Sequence, residues 1–291
     1  VLLLSVGPLC GTAVPCSGRH HVTAKSPLTG IFGEADVGGN FGNSLRRCGF
    51  EGMIVRGQSA RPVFVVIEDA MYLDDGAARL AVHIEDASML INRDAISAAE
   101  TIRATHGPDL EIAVIGQAGE RMVRISSIMH DGKSSRAAGR CGLGAVMGSK
   151  RLKAIAVRKT DNRVFIADPE GLRSSVRMEA GRLLRNAAGL SRFGTAGSMV
   201  AIEAIGDLPI RNWRDGEFKS GAQRLSGVTM AETILTGRFG CASCPIRCGR
   251  EVALQDSKYQ MPESAGPEYE TLASLGSMLL VDDLEAVSYA G

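Results

Sequence analysis

The strongest local constraint in the chain is an array of three cysteines within eight residues. The stretch FGCASCPIRCGRE, residues 239–251, places Cys241, Cys244 and Cys248 in a C-x2-C-x3-C pattern with no cysteine or histidine after it. A tight turn at this spacing brings the three sulfur atoms close enough to bind one metal centre. The fold must therefore hold this turn near whatever supplies a fourth ligand.

Two kinds of metal centre fit the array, and a turn without metal is the third interpretation. Zinc needs four ligands. Since no histidine follows His130, a zinc site would have to recruit Cys10, Cys16, Cys48 or Cys141. A [4Fe-4S] cluster commonly takes three cysteines from a local array and one from a distant part of the chain. The spacing favours the cluster, with Cys10 and Cys16 dispensable for it.

Composition bears on the class of partner and on the compartment. Of 291 residues, 45% are hydrophobic and the net charge is +1, so neither nucleic acid nor an anionic membrane surface is a predicted partner. No apolar run approaches the roughly 18 residues of a membrane span, and the first residues lack the basic region of a signal peptide. Seven cysteines, three of them packed together, suit a reducing compartment. We expect a cytoplasmic protein.

The hydrophobic pattern changes near residue 160. Before it, glycine separates short β-branched runs that predict strands, namely LLLSV, HHVTA, MIVR, VFVVI, IAVIG, VRISSIM and LKAIAV, with one helix at 94–105. After it, helix signals dominate, including an Asp168–Pro169 start and a Thr229/Glu232 capping box. The pattern predicts an α+β fold with a β-rich domain at 1–160 and a mostly α-helical domain at 161–291.

A glycine-rich segment at residues 134–157 is a candidate anion site. Its glycines between positions 139 and 148 let backbone approach a ligand, and Arg136 and Arg140 carry guanidinium groups suited to phosphate. The spacing G-x-G-x-x-x-G departs from the dinucleotide fingerprint, so nicotinamide binding is not favoured. A glycine-rich turn with solvated arginines remains the alternative.

The loops at residues 7–42 and one acidic helix start are further candidates. The loops are rich in glycine, proline and small polar residues, which fits either a ligand cradle or surface turns. Strand alternation would point His20 and His21 to opposite faces, so a shared metal ion is not expected. Glu268 and Glu270 open a helix, where the helix dipole alone is a sufficient reason for acidic residues.

Together these stretches resemble the tungsten-containing aldehyde:ferredoxin oxidoreductase family. The matching text is GPLCGTAVPCSGRHHVTAKSPLTG, GGNFG, RAAGRCGLGAVMGSKRLKAI, CASCPIRCGRE and GPEYETLASLGS, in the family's order. The resemblance implies a tungsten (or molybdenum) bis-pyranopterin with a [4Fe-4S] cluster close by. It also implies that the N-terminal β-rich domain cradles the pterin and that helical domains supply cluster cysteines.

The resemblance assigns expected roles to individual residues. Cys241, Cys244 and Cys248 match cluster ligands, and Glu270 matches the acidic residue near the metal, with Glu268 as its competitor. The positions that match pterin contacts are Arg19, Asp36, Gly38, Arg136, Ala137, Gly139 and Arg140.

Two departures from the family accompany these matches. Asp36 stands where the family usually has asparagine, and a carboxylate is a poor neighbour for phosphate unless a cation offsets it. In addition, the family's D-x-x-G-L motifs, fourth cluster cysteine and active-site histidine are expected beyond Gly291, and a short N-terminal stretch is also missing.

The resemblance implies oxidation of an aldehyde to a carboxylic acid with water as oxygen donor and ferredoxin or a similar one-electron carrier as acceptor. Reduction of carboxylic acids or of aromatic-ring thioesters is the close alternative within the family. A non-catalytic iron–sulfur or zinc module is the alternative from another class. The resemblance also allows a homo-oligomer.

Overall fold

The computed structural model describes residues 1–69, 71–72, 78–79, 81–130, 136–255 and 257–291. The chain divides into two compact units, Val1–Val176 with Cys241–Cys244, and Arg177–Gly240 with Pro245–Gly291. The first unit is β-rich and the second mostly helical, which confirms the predicted α+β class.

The first unit contains most of the described strands and four helices. The strands are β1 (Leu2–Val6), β2 (His20–Lys25), β3 (Phe32–Val37), β4 (Gly52–Val55), β5 (Val63–Ile67), β6 (Met71–Tyr72), β7 (Ala78–Arg79), β8 (Val82–Asp86), β9 (Leu110–Val114), β10 (Ile128–His130), β11 (Arg136–Ala138) and β12 (Leu152–Arg158). The helices are α1 (Phe41–Arg47), α2 (Ala95–His106), α3 (Gln117–Glu120) and α4 (Leu143–Ser149), with a 3-10 turn at Ser88–Leu90.

The second unit is built mainly from short helices. Helix α5 (Pro169–Asn186) begins in the first unit and ends in the second. The others are α6 (Ala188–Phe193), α7 (Met199–Ala204), α8 (Lys219–Arg224), α9 (Gly227–Thr233), α10 (Tyr269–Leu275) and α11 (Leu284–Ala290), with 3-10 turns at Thr195–Ser198 and Ser277–Leu279. A three-stranded antiparallel sheet, β13 (Leu235–Phe239), β14 (Gly249–Leu254) and β15 (Met261–Ala265), was not expected from the sequence.

A four-stranded antiparallel sheet of order β3-β2-β1-β4 positions the N-terminal candidate residues. Its inner face carries Leu4, Val22 and Val37 into the core, where α1 adds Phe41 and Leu45. The outer face is half-open to solvent. The strand period of two therefore puts His20 inside and His21 outside, as predicted.

A six-stranded sheet of order β11-β10-β9-β12-β5-β8 forms the other layer of the first unit. Strands β12 and β5 run parallel and the remaining neighbours antiparallel. Residues of β12 alternate between two cores: Ile155 and Val157 face the core shared with the four-stranded sheet, while Ala154 and Ala156 face the core that α2 covers. Apart from Lys153, which is buried and pairs with Glu120, the run LKAIAV is apolar because both of its faces are buried.

Two of the predicted helix starts are confirmed by their capping hydrogen bonds. Asp94 caps α2 by accepting a hydrogen bond from Ser97 N at 2.8 Å. Asp168 likewise accepts from Gly171 N at 2.9 Å at the start of α5. The predicted Thr229/Glu232 box is wrong: Ser226 caps α9 and accepts from Thr229 N, so the helix begins earlier than expected.

Within the described ranges, no helix is long and apolar enough to cross a membrane.

Candidate cofactor site

The Cys241–Cys244 turn is held against two glycine-containing loops of the first unit. Ala242 N donates a hydrogen bond to Gly39 O at 3.0 Å, and Cys16 N donates to Ser243 O at 3.2 Å. The turn is closed by Cys244 N, which donates to Cys241 O at 3.0 Å. Backbone bonds to both loops fix the direction in which the two cysteine side chains leave the turn.

Two buried glycines allow this close approach. A Cβ atom added to Gly38 would lie 2.6 Å from Cys241 Sγ and 3.9 Å from Arg136 Cδ. A Cβ added to Gly18 would lie 2.7 Å from the Cβ of Ala242. No side chain fits at either position without displacing its neighbour. The structure thus brings together Gly38, Arg136 and Cys241, which the sequence assigned to three separate motifs.

A further thiol, Cys16, lies beside this turn. Its Sγ is 3.6 Å from Cys244 Sγ, and the side chain is exposed. Cys241, Cys244 and Cys248 are half-buried, whereas Cys10 and Cys48 are buried. Burial raises the pKa of Cys10 and raises that of Cys48 to about 12, so these two thiols stay protonated at neutral pH.

The donor set at the array is suited to iron, although the described residues do not form a preassembled metal centre. No group of three or more His, Cys, Asp or Glu side chains converges as metal ligands in the part of the chain that the structure describes. The array offers half-buried thiols, the soft donors that iron–sulfur clusters use. The cluster assignment of Cys241, Cys244 and Cys248 stays a prediction.

Several glycines of the glycine-rich segment at residues 134–157 serve close packing of the backbone. Gly142 has φ 67° at the N-cap of α4, and an added Cβ would collide with the Arg124 carbonyl oxygen. Gly148 packs against the backbone of Gly119 in the same way. Gly139 differs, since an added Cβ there would meet only the Ala137 side chain, at 3.9 Å. The alternative of a structural turn therefore holds for part of the segment, and Gly139 keeps open space for a ligand.

The arginines assigned to the pterin and its phosphates have suitable surroundings. Arg19 and Arg140 are exposed and make no ion pair with any residue that the structure describes. Arg136 and Ala137 are half-buried in β11, where Arg136 pairs in register with His130. Two exposed guanidinium groups and an open glycine fit the phosphate groups of a pterin cofactor.

The carboxylate of Asp36 has a histidine partner on the neighbouring strand. His21 Nδ1 lies 2.5 Å from Asp36 Oδ1, and His21 Nε2 lies 3.1 Å from Glu34 Oε2. The hydrogen bond to Glu34 and the charge of Asp36 raise the pKa of His21. The neighbouring strand therefore supplies an ionisable partner for Asp36, and the two carboxylates favour its charged form.

Two buried histidines pack beneath the same sheet. His20 Nε2 lies 3.1 Å from His130 Nε2, and His130 Nδ1 donates to Ile128 O at 3.2 Å. Because His130 donates at Nδ1, its Nε2 accepts from His20, which leaves His20 Nδ1 without a hydrogen-bond partner among the described residues. Burial lowers the pKa of His130 to about 3 and that of His20 well below its usual value, so both rings are neutral.

The two predicted catalytic carboxylates of the second unit differ in their surroundings. Glu268 occupies the N-cap of α10 rather than its first turn, and its Oε2 accepts a hydrogen bond from Thr195 Oγ1 at 2.6 Å. Thr195 Oγ1 also accepts from Tyr269 N at 2.9 Å. Glu270 lies in the first turn and is exposed. Glu268 is thus tied into the helix start, and Glu270 is the carboxylate open to solvent.

Arg250 organises the backbone around the third cysteine and was not identified from the sequence. Its side chain is 3% exposed, and burial lowers its pKa. Its guanidinium donates to the carbonyl oxygens of Cys248 at 3.1 Å, Arg192 at 2.8 Å, Ser191 at 3.0 Å and Arg247 at 2.8 Å. Buried arginine with carbonyl partners leaves no periodic signal in a sequence.

Family models match nearly the whole chain. The model described as the aldehyde ferredoxin oxidoreductase N-terminal domain covers residues 1–159, and that for domains 2 and 3 of the same protein covers residues 176–291. The chain belongs to the aldehyde ferredoxin oxidoreductase family. The resemblance inferred from its motifs is thereby confirmed.

Individual relatives agree with this assignment. Tungsten-containing aldehyde ferredoxin oxidoreductases of Pyrococcus furiosus and Thermococcus kodakarensis are 38% and 39% identical over 98% of this chain and 45% of their own length. The WOR-like subunit of an aliphatic sulfonate oxidoreductase from Pyrococcus furiosus is 28% identical over 99% of this chain and 46% of its own. The chain therefore spans about half the length of these aldehyde ferredoxin oxidoreductase family members.

A solved structure has the same fold. The active-site complex BamBC of benzoyl coenzyme A reductase, with 1,5-dienoyl-CoA, aligns with TM-score 0.73 and 25% identity over 99% of this chain and 44% of its own.

Proposed function

We propose that the protein oxidises an aldehyde to a carboxylic acid, with water as oxygen donor, at a tungsten (or molybdenum) pterin site, and passes the electrons through a [4Fe-4S] cluster to ferredoxin. The observation that supports this most directly is the convergence of Gly38, Arg136 and Cys241 at one place in the first unit. A fold that brings a pterin-loop glycine, a phosphate-segment arginine and a cluster cysteine to one place supports a pterin enzyme over an electron-transfer or zinc module without pterin.

Different residues of the chain would bind the pterin and the iron–sulfur cluster. Arg19 would bind the pterin, Arg136 and Arg140 would bind its phosphates through charge-assisted hydrogen bonds, and the open backbone at Gly139 would admit a phosphate closely. Cys241 and Cys244 hold iron from the turn that Gly18 and Gly38 seat. We also assign the Asp36 loop and Ala137 to pterin binding, and Cys248 to cluster binding.

The bound tungsten pterin supplies two-electron oxidation of the aldehyde carbon, and the cluster supplies a one-electron route to ferredoxin. Glu270 carries the proton: its carboxylate oxygens orient water and accept the proton that water loses. Glu268 keeps a structural role, because its Oε2 is engaged by Thr195 at the start of α10.

A second candidate within the family is reduction of an aromatic-ring thioester. The fold likeness to the benzoyl coenzyme A reductase complex supports it. A ferredoxin-linked reductase of this kind would use the same pterin and cluster cysteines on a larger substrate. The turnover of aldehydes and the turnover of benzoyl-CoA, both measured on the same preparation, separate the two candidates.

The test is aldehyde-dependent reduction of an artificial one-electron acceptor by the complete protein, normalised to tungsten or molybdenum content. Glu270→Gln should leave metal and pterin contents intact while turnover falls by roughly 10² to 10⁴, the usual range for a positioned general base. Glu268→Gln is the matched control and should cost far less. Near wild-type turnover in Glu270→Gln would refute the role of Glu270, and loss only in Glu268→Gln would move the role there.

A further inference from the structure

The outer face of the four-stranded sheet carries a histidine held between two carboxylates. Strands β2 and β3 pair His21 with Asp36 in register, and Glu34 is the next outward residue of β3. His21 Nδ1 is 2.5 Å from Asp36 Oδ1 and His21 Nε2 is 3.1 Å from Glu34 Oε2. An ionised carboxylate only accepts hydrogen bonds, so a carboxylate beside each ring nitrogen favours the imidazolium, which carries a hydrogen on both.

The charged groups around this ring are few. From β3 they are Glu34 and Asp36, on β2 the flanking charge is Lys25, and Arg19 directly precedes β2. The neighbouring residue on β1 is Ser5, which is uncharged. The two carboxylates therefore dominate the environment of His21, and their effect favours its charged form.

We propose that His21 is a positioning residue for the pterin loop: as an imidazolium bridging Glu34 and Asp36, it neutralises the carboxylate that this chain carries in place of asparagine. This inference rests on the proposed function, because it assumes that the loop from Asp36 to Gly38 lies against an anionic cofactor. Without the cation, Asp36 would repel a phosphate group from its own loop. With it, the group of His21, Glu34 and Asp36 near Gly38 carries one negative charge instead of two.

The titration of His21 should make pterin binding weaker as the pH rises. The carboxylates raise the pKa of His21, so the imidazolium persists below that raised pKa and is lost as the pH rises through it. Loss of the proton leaves Asp36 as an uncompensated charge. Retention of the pterin should therefore weaken on the alkaline side of the His21 titration, and Asp36→Asn should remove that step.

The ionisation of His21 can be measured in the complete protein. Nuclear magnetic resonance of histidine-labelled protein follows the titration of each ring, and His21→Asn identifies the signal that belongs to His21. We expect His21 to titrate above the ordinary value of about 6.5. Asp36→Asn and Glu34→Gln should each lower its pKa. A titration at or below the ordinary value, or one that Asp36→Asn leaves unchanged, would overturn the inference.

Pterin content of the complete protein then tests the role at the site. His21→Asn should lower pterin per chain by about two- to fivefold, the scale of a partly exposed ion pair. The double variant His21→Asn/Asp36→Asn should recover the wild-type content, because the charge to be neutralised is gone. A double variant as depleted as His21→Asn would overturn the neutralising role.

The outcome also separates this inference from the proposed function. Equal pterin content in wild type and His21→Asn would overturn only the role of His21. Absence of pterin from the wild type would contradict the proposed function itself, while the titration of His21 would still report on the ion pair.

Discussion

The thiol sulfur of Cys16 lies 3.6 Å from that of Cys244, although 228 positions separate the two residues in the chain. The backbones approach as well, since Cys16 N donates to the carbonyl oxygen of Ser243 at 3.2 Å. A cysteine expected to be dispensable therefore neighbours a predicted iron ligand. Cys10, which is buried, is the better control for any test of the cluster.

The first prediction is that Cys16 and Cys244 form a disulfide when no iron is bound. Oxidised glutathione would accept the two electrons and leave as two molecules of the reduced thiol while both cysteines lose their protons. Peptide mapping of the iron-free chain without reductant should recover the Cys16–Cys244 linkage. Cys10→Ser should not affect it and Cys16→Ser should abolish it. Recovery of a Cys241–Cys244 linkage alone would contradict the geometry.

The second prediction concerns the glycine under Cys241. An added Cβ at Gly38 would lie 2.6 Å from Cys241 Sγ, so Gly38→Ala must displace the cysteine turn. We expect a loss of iron and a lower unfolding free energy by about 1–3 kcal/mol, the usual cost of overpacking. Gly7→Ala is the matched control, because an added Cβ there meets nothing within 4 Å. Equal iron content in the two variants would show that the turn tolerates displacement.

The third prediction tests the buried guanidinium near Cys248. Arg250→Leu leaves carbonyl oxygens of Ser191, Arg192 and Cys248 without their buried donor. We expect the unfolding free energy in urea to fall by about 3 kcal/mol or more, since each unsatisfied buried group costs about 1–3 kcal/mol. Arg177→Leu, at an exposed helix position, should cost little. Similar losses in both variants would mean that the carbonyl contacts of Arg250 contribute nothing.

The fourth prediction follows from the neutral pair His20 and His130. The unfolded chain takes up protons at both rings below about pH 6.5, whereas the folded state resists until near pH 3 at His130. The unfolding free energy should therefore fall as the pH drops from about 6.5 towards 3. Removing one ring with His130→Gln should flatten this slope by up to about 1.4 kcal/mol per pH unit. The exposed His83→Gln is the control, and an unchanged slope in His130→Gln would contradict the assignment.

Local patterns in the sequence predicted much of the secondary structure, and tertiary packing decided the rest. The run VFVVI is a strand with the predicted bounds, because β-branched residues flanked by turns leave little choice. Strand β3 lies in a segment for which the sequence predicts loops, because its inward residues are small and its outward face carries Glu34 and Asp36. Of the predicted run VRISSIM, only the last two residues, Ile128 and Met129, lie in β10.

The candidate site could likewise be predicted from the sequence only in part. The positions of Arg136, Gly38 and Cys241 in motifs could be recognised, but their meeting depends on how the loops fold over the sheet. Cys16 and Arg250 left no usable signal, because pairing across long sequence separation and bonding to backbone carbonyls follow no spacing rule. Three glycines of one motif serve backbone packing, a purpose that composition alone cannot distinguish from ligand binding.

The central claim, that the glycine loops, the arginine segment and the cysteine turn form one cofactor site, is tested most directly by elemental and pterin analysis of the complete protein purified without oxygen. The account predicts tungsten or molybdenum together with pterin, iron and sulfide. It also predicts that Arg140→Ala lowers pterin content, with only partial recovery in Arg140→Lys, which lacks the planar fork. Zinc without pterin, or full pterin content in Arg140→Ala, would contradict it.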